Sequence, residues 1–279
     1  MTAVDPSYGG FAVKTTDANS GERLTFRGGR VIVAAGALAT PHILLASGLK
    51  ERNPGGDTIG RYLMRHCNAM TYGFFRERSN PHDRHHKQIA IHDFYFGDPE
   101  TQGFGKLGNI QQVMAPPPSL MRAMLPGGLK AIAGALVANL TGLLVIAEDQ
   151  PRAENRVELN PSAVDRFGLP GARIFHRYTR RDLAARKALL SRAKQVLREA
   201  GALFSVTWNV NTFSHAVGTV RMGEDPMTSV LDRDCAFRGV PNLWVTDGSV
   251  FPTSAGVNPS LTIAANALRV GSLIAGGVR

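Results

Sequence analysis

The sequence predicts an α/β fold, α+β overall, in which the two ends of the chain build one unit and the middle is inserted into it. Three observations carry this. Val31-Ile32-Val33-Ala34-Ala35 is a short continuous apolar run leading through Gly36 into a helical stretch, the pattern of a strand buried on both faces. Leu243-Trp244-Val245-Thr246 repeats the arrangement near the end, closed by Asp247-Gly248-Ser249 and followed by a long helical stretch. Between them, from about Gly60 to Leu203, the pattern is less regular and shows no internal repeat. Residues 1–60 and 205–279 are therefore expected in one unit. Residues 61–204 are expected to form an antiparallel sheet with helices.

The elements follow in order. Gly10 to Arg27 reads as a hairpin, with Phe11-Ala12-Val13-Lys14 and Arg23-Leu24-Thr25-Phe26 around a turn at Ala18-Asn19-Ser20-Gly21. After the Val31 strand, Thr40-Pro41 reads as an N-cap with proline at the first helical position, and Gly48 closes that helix. Ser79 to Asp93 is a polar, histidine-rich loop, and Ala115-Pro116-Pro117-Pro118 a rigid one. Ala131 to Ala147 is uncharged but holds Gly134, Asn139, Thr141 and Gly142. It falls short of the roughly 20 apolar residues that a spanning helix needs, so buried strands with a turn are expected and no transmembrane segment. Turn chemistry recurs at Asn160-Pro161 and Gly168-Leu169-Pro170. Arg173 to Arg198 is rich in Arg and Lys, opposed only by Asp182, and Leu183, Leu190 and Leu197 recur every seven residues. That is an amphipathic helix with a basic outer face. Asn258-Pro259-Ser260 opens the last helix, Leu261 to Ala275, which Gly276-Gly277 closes.

Composition bounds the function. With 279 residues, 43% hydrophobic and 19% charged, the chain is globular, and wholesale disorder is excluded. The net charge of +10 is concentrated in the basic helix. No aromatic interleaving or nucleic-acid motif accompanies it, so it reads as a solvated face and nucleic acid is not an expected partner. Two cysteines, Cys67 and Cys235, exclude a disulfide framework and a cysteine-based zinc cluster. Met1 to Gly10 has no basic start followed by an apolar stretch, so a cytoplasmic location is expected.

Few motifs carry chemistry. Gly103-Phe104-Gly105-Lys106-Leu107-Gly108 matches the dinucleotide fingerprint literally, but it follows no strand and runs into a proline cluster. His82, His85, His86 and His92, with Asp83 and Asp93, match no ligand template, and no metal is expected. Ser214-His215-Ala216-Val217-Gly218-Thr219 is sharper. His215 is flanked by small and turn-forming residues, and Asn258 follows it at a fixed distance downstream. Asn258-Pro259 reads as a cap and first helical residue whose helix end presents free N–H groups. Arg156 and His66 read as structural.

Four stretches together resemble the glucose–methanol–choline (GMC) flavin-dependent oxidoreductases. They are Val31 to Pro41 with Leu45-Ala46-Ser47-Gly48; Ile59 to His66; Glu154 to Leu159 with Asp165 to Gly168; and His215 through Val245-Thr246-Asp247-Gly248-Ser249 and Asn258-Pro259 to Ala264. The resemblance implies FAD as cofactor and a partial FAD-binding, Rossmann-like domain at 1–60 and 205–279, with a substrate domain at 61–204. It implies oxidation of a CH–OH group, with His215 as the base and Asn258 as the second active-site residue. Gly36, Thr40, Asp247, Gly248, Asn258, Pro259 and Ser260 would lie along the cofactor. The resemblance begins after the family's Gly-rich turn, so the chain is expected to be the C-terminal portion of a longer enzyme or one half of a split one, whose partner is a separate FAD-binding chain. Val257-Asn258-Pro259 and Glu154-Asn155-Arg156-Val157 favour a sugar or polyol substrate over a simple alcohol. The alternatives are a choline-type enzyme, for which only Trp208 and Phe213 lie near His215 in sequence, and a non-catalytic assembly subunit. The electron acceptor is open.

Overall fold

The N-terminal meander places three antiparallel strands side by side: β1 (Ala3–Ser7), β2 (Gly10–Thr16) and β3 (Arg23–Gly28). The expected hairpin turn is there, and the Asp17 carboxylate accepts from the Asn19 and Ser20 amides within it. The computed structural model describes the chain except residues 8, 79–85, 98, 100, 125–126, 131–136 and 277–279. Residues 79–85 of the expected Ser79 to Asp93 loop, with His82, Asp83 and His85, lie outside the described residues, as do residues 131–136 of the run from Ala131 to Ala147; the rest of that loop is interrupted by a short strand at Ala90–Ile91.

β4 (Val31–Val33) pairs in parallel with β12 (Leu243–Val245), with Leu243 opposite Val31 and Val245 opposite Val33. The two ends of the chain thus meet in one small sheet. Val33, Leu243 and Val245 enter a core with Leu44, Leu49, Val220 and Leu231. Burial on both faces, expected from the apolar run, holds on one face only, because Ile32 is 50% exposed.

α1 (Gly36–Ala46) starts well before the expected cap at Thr40-Pro41. Gly36 turns the chain out of the strand at φ +84°, where a side chain would be strained. Pro41 consequently sits inside the helix and cannot donate to the Ala37 carbonyl one turn back. The Thr219 hydroxyl takes that place, donating to the Ala37 oxygen at 2.7 Å. The end is as expected: Gly48 is left-handed, its amide donates to the Leu45 carbonyl, and the Leu49 amide donates to the Leu44 carbonyl.

The middle forms a five-stranded antiparallel sheet in the order β11-β5-β8-β7-β6. Its strands are β5 (Ala69–Phe74), β6 (Ala90–Ile91), β7 (Gly108–Val113), β8 (Leu140–Ala147) and β11 (Phe204–Asn209). The border expected at 204/205 therefore falls within β11, which pairs along its whole length with β5 and goes with the sheet. A short helix, α2 (Pro118–Met124), starts on the last proline of the expected Ala115 to Pro118 loop. β9 (Arg156–Val164) and β10 (Pro170–Phe175) form a separate hairpin. Asn160-Pro161 is not a turn but an irregularity inside β9: the register jumps from Asn160 to Val164 opposite Gly171 and Pro170. Proline, lacking an N–H, cannot serve the ladder there.

α3 (Arg180–Glu199) covers the sheet. Thr179 and Asp182 close its start in a reciprocal capping box. The buried stripe is Ala185, Leu189, Ala193 and Leu197, the last three packed with Ile110, Leu143 and Val145. The heptad of leucines is only partly right, since Leu183 is 42% exposed. Arg173, the expected start of the basic helix, belongs to β10. The last helix, α4 (Ser260–Gly276), buries only Val270. Among the described residues no helix is long and apolar enough to cross a membrane.

Candidate active site

A short piece of antiparallel pairing sets the site. The Met64 amide donates to the Val217 carbonyl at 3.0 Å, and the Val217 amide returns the bond at 2.9 Å. Gly218 then turns at φ +95°; a Cβ there would lie 2.5 Å from Met64 and 2.7 Å from the Tyr62 carbonyl, so glycine alone fits. Beyond it the chain runs along residues 248–250, with the Gly218, Val220 and Met222 amides donating to the Gly248, Ser249 and Val250 carbonyls. Two residues out from the Met64–Val217 pair, on the same side, stand His66 and His215. Their rings meet edge to face with centroids 5.1 Å apart and Nδ1 atoms 3.1 Å apart.

The other edge of His215 faces Asn258, whose Nδ2 lies 3.2 Å from His215 Nε2. Gln111 of β7 donates from Nε2 to Asn258 Oδ1 at 2.6 Å. Burial, then the neighbouring His66 and Lys87, push the His215 imidazole down to about 4. It is neutral at neutral pH, with a nitrogen available to take a proton. Burial also lowers His66.

The expected pairing of His215 with Asn258 is thus present, with two corrections. Asn258 is not the helix cap. The first turn of α4 closes from the Ile263 amide to the Pro259 carbonyl at 2.9 Å, so Pro259 holds the cap position and Ser260 is the first helical residue. Asn258 instead commits both ends of its amide to His215 and Gln111. His66, expected as a structural residue, touches His215 directly. Nothing in the local sequence of Gln111 marks it as part of the site.

A second cluster lies at the β4–α1 turn. The buried Asp247 carboxylate accepts from the Gly36 amide at 2.8 Å and the Thr40 hydroxyl at 2.5 Å on one oxygen. Its other oxygen accepts from the Ser249 amide at 2.8 Å. Thr40 Oγ1 in turn accepts from the Ala35 amide at 3.1 Å. Thr40 is a tie between α1 and the β12 turn, not a cap. Gly248 sits where a Cβ would lie 3.2 Å from Ile263 of α4 and 3.3 Å from the Ala216 carbonyl, beside His215. Gly36, Thr40, Asp247 and Gly248 are therefore brought together, and Gly248 links them to His215 and α4.

Two family models match this chain, both described as GMC oxidoreductase: the C-terminal one over residues 151–267 and the N-terminal one over residues 9–68. The chain belongs to the GMC oxidoreductase family. It is 29% identical over 277 residues to the 2-methyl-1,2-propanediol dehydrogenase of Mycolicibacterium austroafricanum, covering 92% of this chain and 50% of that protein. It is 30% identical over 268 residues to the C-glycoside 3-oxidase of Microbacterium trichothecenolyticum, covering 92% of this chain and 48% of that protein. The crystal structure of pyridoxine 4-oxidase from Mesorbium loti superposes with a TM-score of 0.65 at 15% identity, covering 98% of this chain and 56% of that one. The chain spans about half the length of the curated relatives it matches.

The cofactor of a GMC oxidoreductase is FAD, and the residues present suit one. The α4 start offers the amides of Ser260, Leu261 and Thr262 ahead of its first helical bond, with the expected side-chain cap engaged elsewhere. Such a helix end favours an electron-rich oxygen. At the β4–α1 turn, the space a Gly36 Cβ would enter holds nothing within 4 Å, so a ligand can approach the backbone closely. Among the described residues no group of three or more potential metal ligands occurs.

Proposed function

We propose that this GMC chain supplies the base and the substrate wall of an FAD-dependent oxidoreductase acting on CH–OH groups of a sugar or polyol. The observation that carries it is His215 held neutral between His66 and Asn258 at the start of α4. When bound, FAD supplies the two-electron acceptor for the carbinol hydride. His215 takes the hydroxyl proton on its ring nitrogen, which a neutral imidazole can do and an imidazolium cannot. Asn258 donates an amide N–H to His215 Nε2 here; when a substrate hydroxyl takes that place on Nε2, the freed NH2 group can donate to the substrate oxygen. Gln111, by occupying Asn258 Oδ1, keeps the NH2 end turned toward the chemistry.

The sugar or polyol reading is supported by how the nearby aromatics are used. A quaternary ammonium would need open aromatic faces. The Phe213 ring is already faced by the Arg65 guanidinium at 4.4 Å, and Trp208 packs edge to face on Tyr72 at 5.4 Å. Of the relatives, one is named for a diol and one for a C-glycoside.

The dinucleotide end of FAD is held by a strand–Gly-rich turn–helix unit supplied ahead of these residues or by a separate chain. Leu261 and Leu268 of α4 are 83% and 74% exposed and Ile32 of β4 is 50% exposed. A parallel pair of two strands is ordinarily covered on both faces. The test is flavin retention after gel filtration. The 279 residues alone are expected to lose FAD, and to keep it when co-produced with such a unit. Firm retention by the 279 residues alone would contradict the need for it. Loss of FAD in both preparations would contradict the cofactor reading.

A further inference from the structure

We infer that His66 is a positioning residue: it fixes His215 as the Nδ1–H tautomer and so leaves Nε2 as the unprotonated nitrogen that receives the proton. The inference rests on the reading of His215 as the base.

The assignment follows from a chain of hydrogen bonds with a donor and an acceptor required at every step. His66 Nε2 lies 2.9 Å from the Ser254 carbonyl oxygen, which can only accept. His66 Nε2 must therefore carry the proton. A neutral imidazole has one proton, so His66 Nδ1 is bare and accepts. Its neighbour at 3.1 Å, His215 Nδ1, must then be the donor. Neutral His215 is left with a bare Nε2, and the group facing that nitrogen is the Asn258 NH2, a donor. The far end of the network agrees, because Asn258 Oδ1 accepts from the Gln111 amide. Burial works in the same direction by disfavouring a second proton on either ring.

His66 is held for this task at every polar atom. Its amide donates to Asp149 Oδ1 at 3.0 Å, and the Arg65 amide donates to the other oxygen of that carboxylate at 3.0 Å. Its carbonyl accepts from the Tyr178 hydroxyl at 2.7 Å. Its backbone is left-handed, φ +62°, a costly conformation for a residue with a side chain, and here the surroundings impose it. The residue is 1% exposed. When His215 takes the hydroxyl proton on Nε2, the O–H bond breaks and the N–H bond forms. The positive ring then keeps its Nδ1–H on the His66 lone pair. The role parallels that of the orienting group in a serine hydrolase, with a neutral ring in place of a carboxylate.

The test is the 15N spectrum of the histidine rings in the full chain near neutral pH, with His215 assigned by the signals lost in His215→Ala. The expected result is a protonated Nδ1 and a bare Nε2 on His215. In His66→Ala the Nδ1 proton loses its acceptor, so the Nε2–H form is expected to gain population even with the Asn258 amide still facing that nitrogen. In FAD-loaded enzyme the same change should lower kcat about 100-fold or more with KM little altered. His66→Asn places an oxygen acceptor near the lost Nδ1 and tolerates a left-handed backbone, so it should restore the Nδ1–H signal and part of kcat. A wild-type His215 protonated on Nε2, or an unchanged tautomer in His66→Ala, overturns the inference. If His66→Ala does not fold, the wild-type and His66→Asn spectra decide. The two readings fail separately. Full activity in His215→Ala removes the base but leaves the tautomer standing, whereas an Nε2–H signal in the wild type removes the tautomer alone.

Discussion

Replacing Asp247 by Asn tests whether its carboxylate is the tie between the two halves of the α/β unit. Asn changes one oxygen into an NH2 and leaves the shape alone. Oδ1 can still accept from the Ser249 amide. The Gly36 amide and the Thr40 hydroxyl, which now share Oδ2, would face an NH2 group. The Thr40 hydroxyl can rotate and accept from it, but the Gly36 N–H cannot. One buried donor left unpaired costs about 1–3 kcal/mol, and loss of a charged acceptor adds to that, so about 2–4 kcal/mol is expected in all. With m near 3 kcal/mol/M, the urea midpoint should fall by about 1 M at unchanged m. Thr40→Val added to Asp247→Asn should cost less than it does alone, because the hydroxyl has already lost its acceptor. A midpoint shift under about 0.2 M would refute the reasoning, since the Gly36 amide and the Thr40 hydroxyl would then be shown to find other partners at no cost.

Other consequences are checkable in the same way. Thr219→Val should cost about 1–2 kcal/mol by leaving the Ala37 carbonyl unpaired, and most of that penalty should vanish in a Pro41→Ala background, where residue 41 regains its amide; equal costs in both backgrounds would contradict the pairing. Burial pushes the Asp149 carboxyl up, but His176, the Arg65 amide and His66 outweigh it and hold the group below the usual value of 3.8. Its contribution is therefore whole above about pH 4 and is lost as pH falls through the folded value, so Asp149→Asn should flatten the acid limb of a stability–pH curve while leaving the alkaline limb alone. Gln111→Leu should free the Asn258 amide to turn over, lowering kcat by about 10-fold, a little over 1 kcal/mol at the barrier, with urea stability little changed; unaltered turnover would leave Gln111 a bystander.

The parts of the fold legible in the sequence are those written locally. The Val31 and Leu243 strands, the Gly48 helix end, the N-terminal hairpin and the basic amphipathic helix are each specified by residues within a turn or two of one another. The misreadings at Thr40-Pro41 and Asn258 involve distant partners. Thr40-Pro41 has the chemistry of a helix start, but its hydroxyl serves Asp247, and the carbonyl that Pro41 strands is rescued by Thr219, 182 residues away. Asn258 has the chemistry of a cap, but His215 and Gln111, 43 and 147 residues off, claim its amide. Asn160-Pro161 looks like a turn and is absorbed as an irregularity in β9. His215 and Asn258 could be picked out because the resemblance supplied both at once. His66 stood in a stretch that the resemblance also covers, yet its role depends on a left-handed backbone and on the Met64–Val217 register, neither of which a linear reading contains. The one signal available for it was the His itself, two residues beyond an apolar pair, in a stretch with no helical stripe to absorb it.

The central claim is that His215 is the base. The direct measurement is the rate at which a sugar or polyol substrate bleaches the flavin in a single turnover, in FAD-loaded protein, for the wild type and for His215→Ala. A loss of about 100- to 10,000-fold in that rate, with flavin content unchanged, is the predicted result. An equal rate in the two proteins would contradict it.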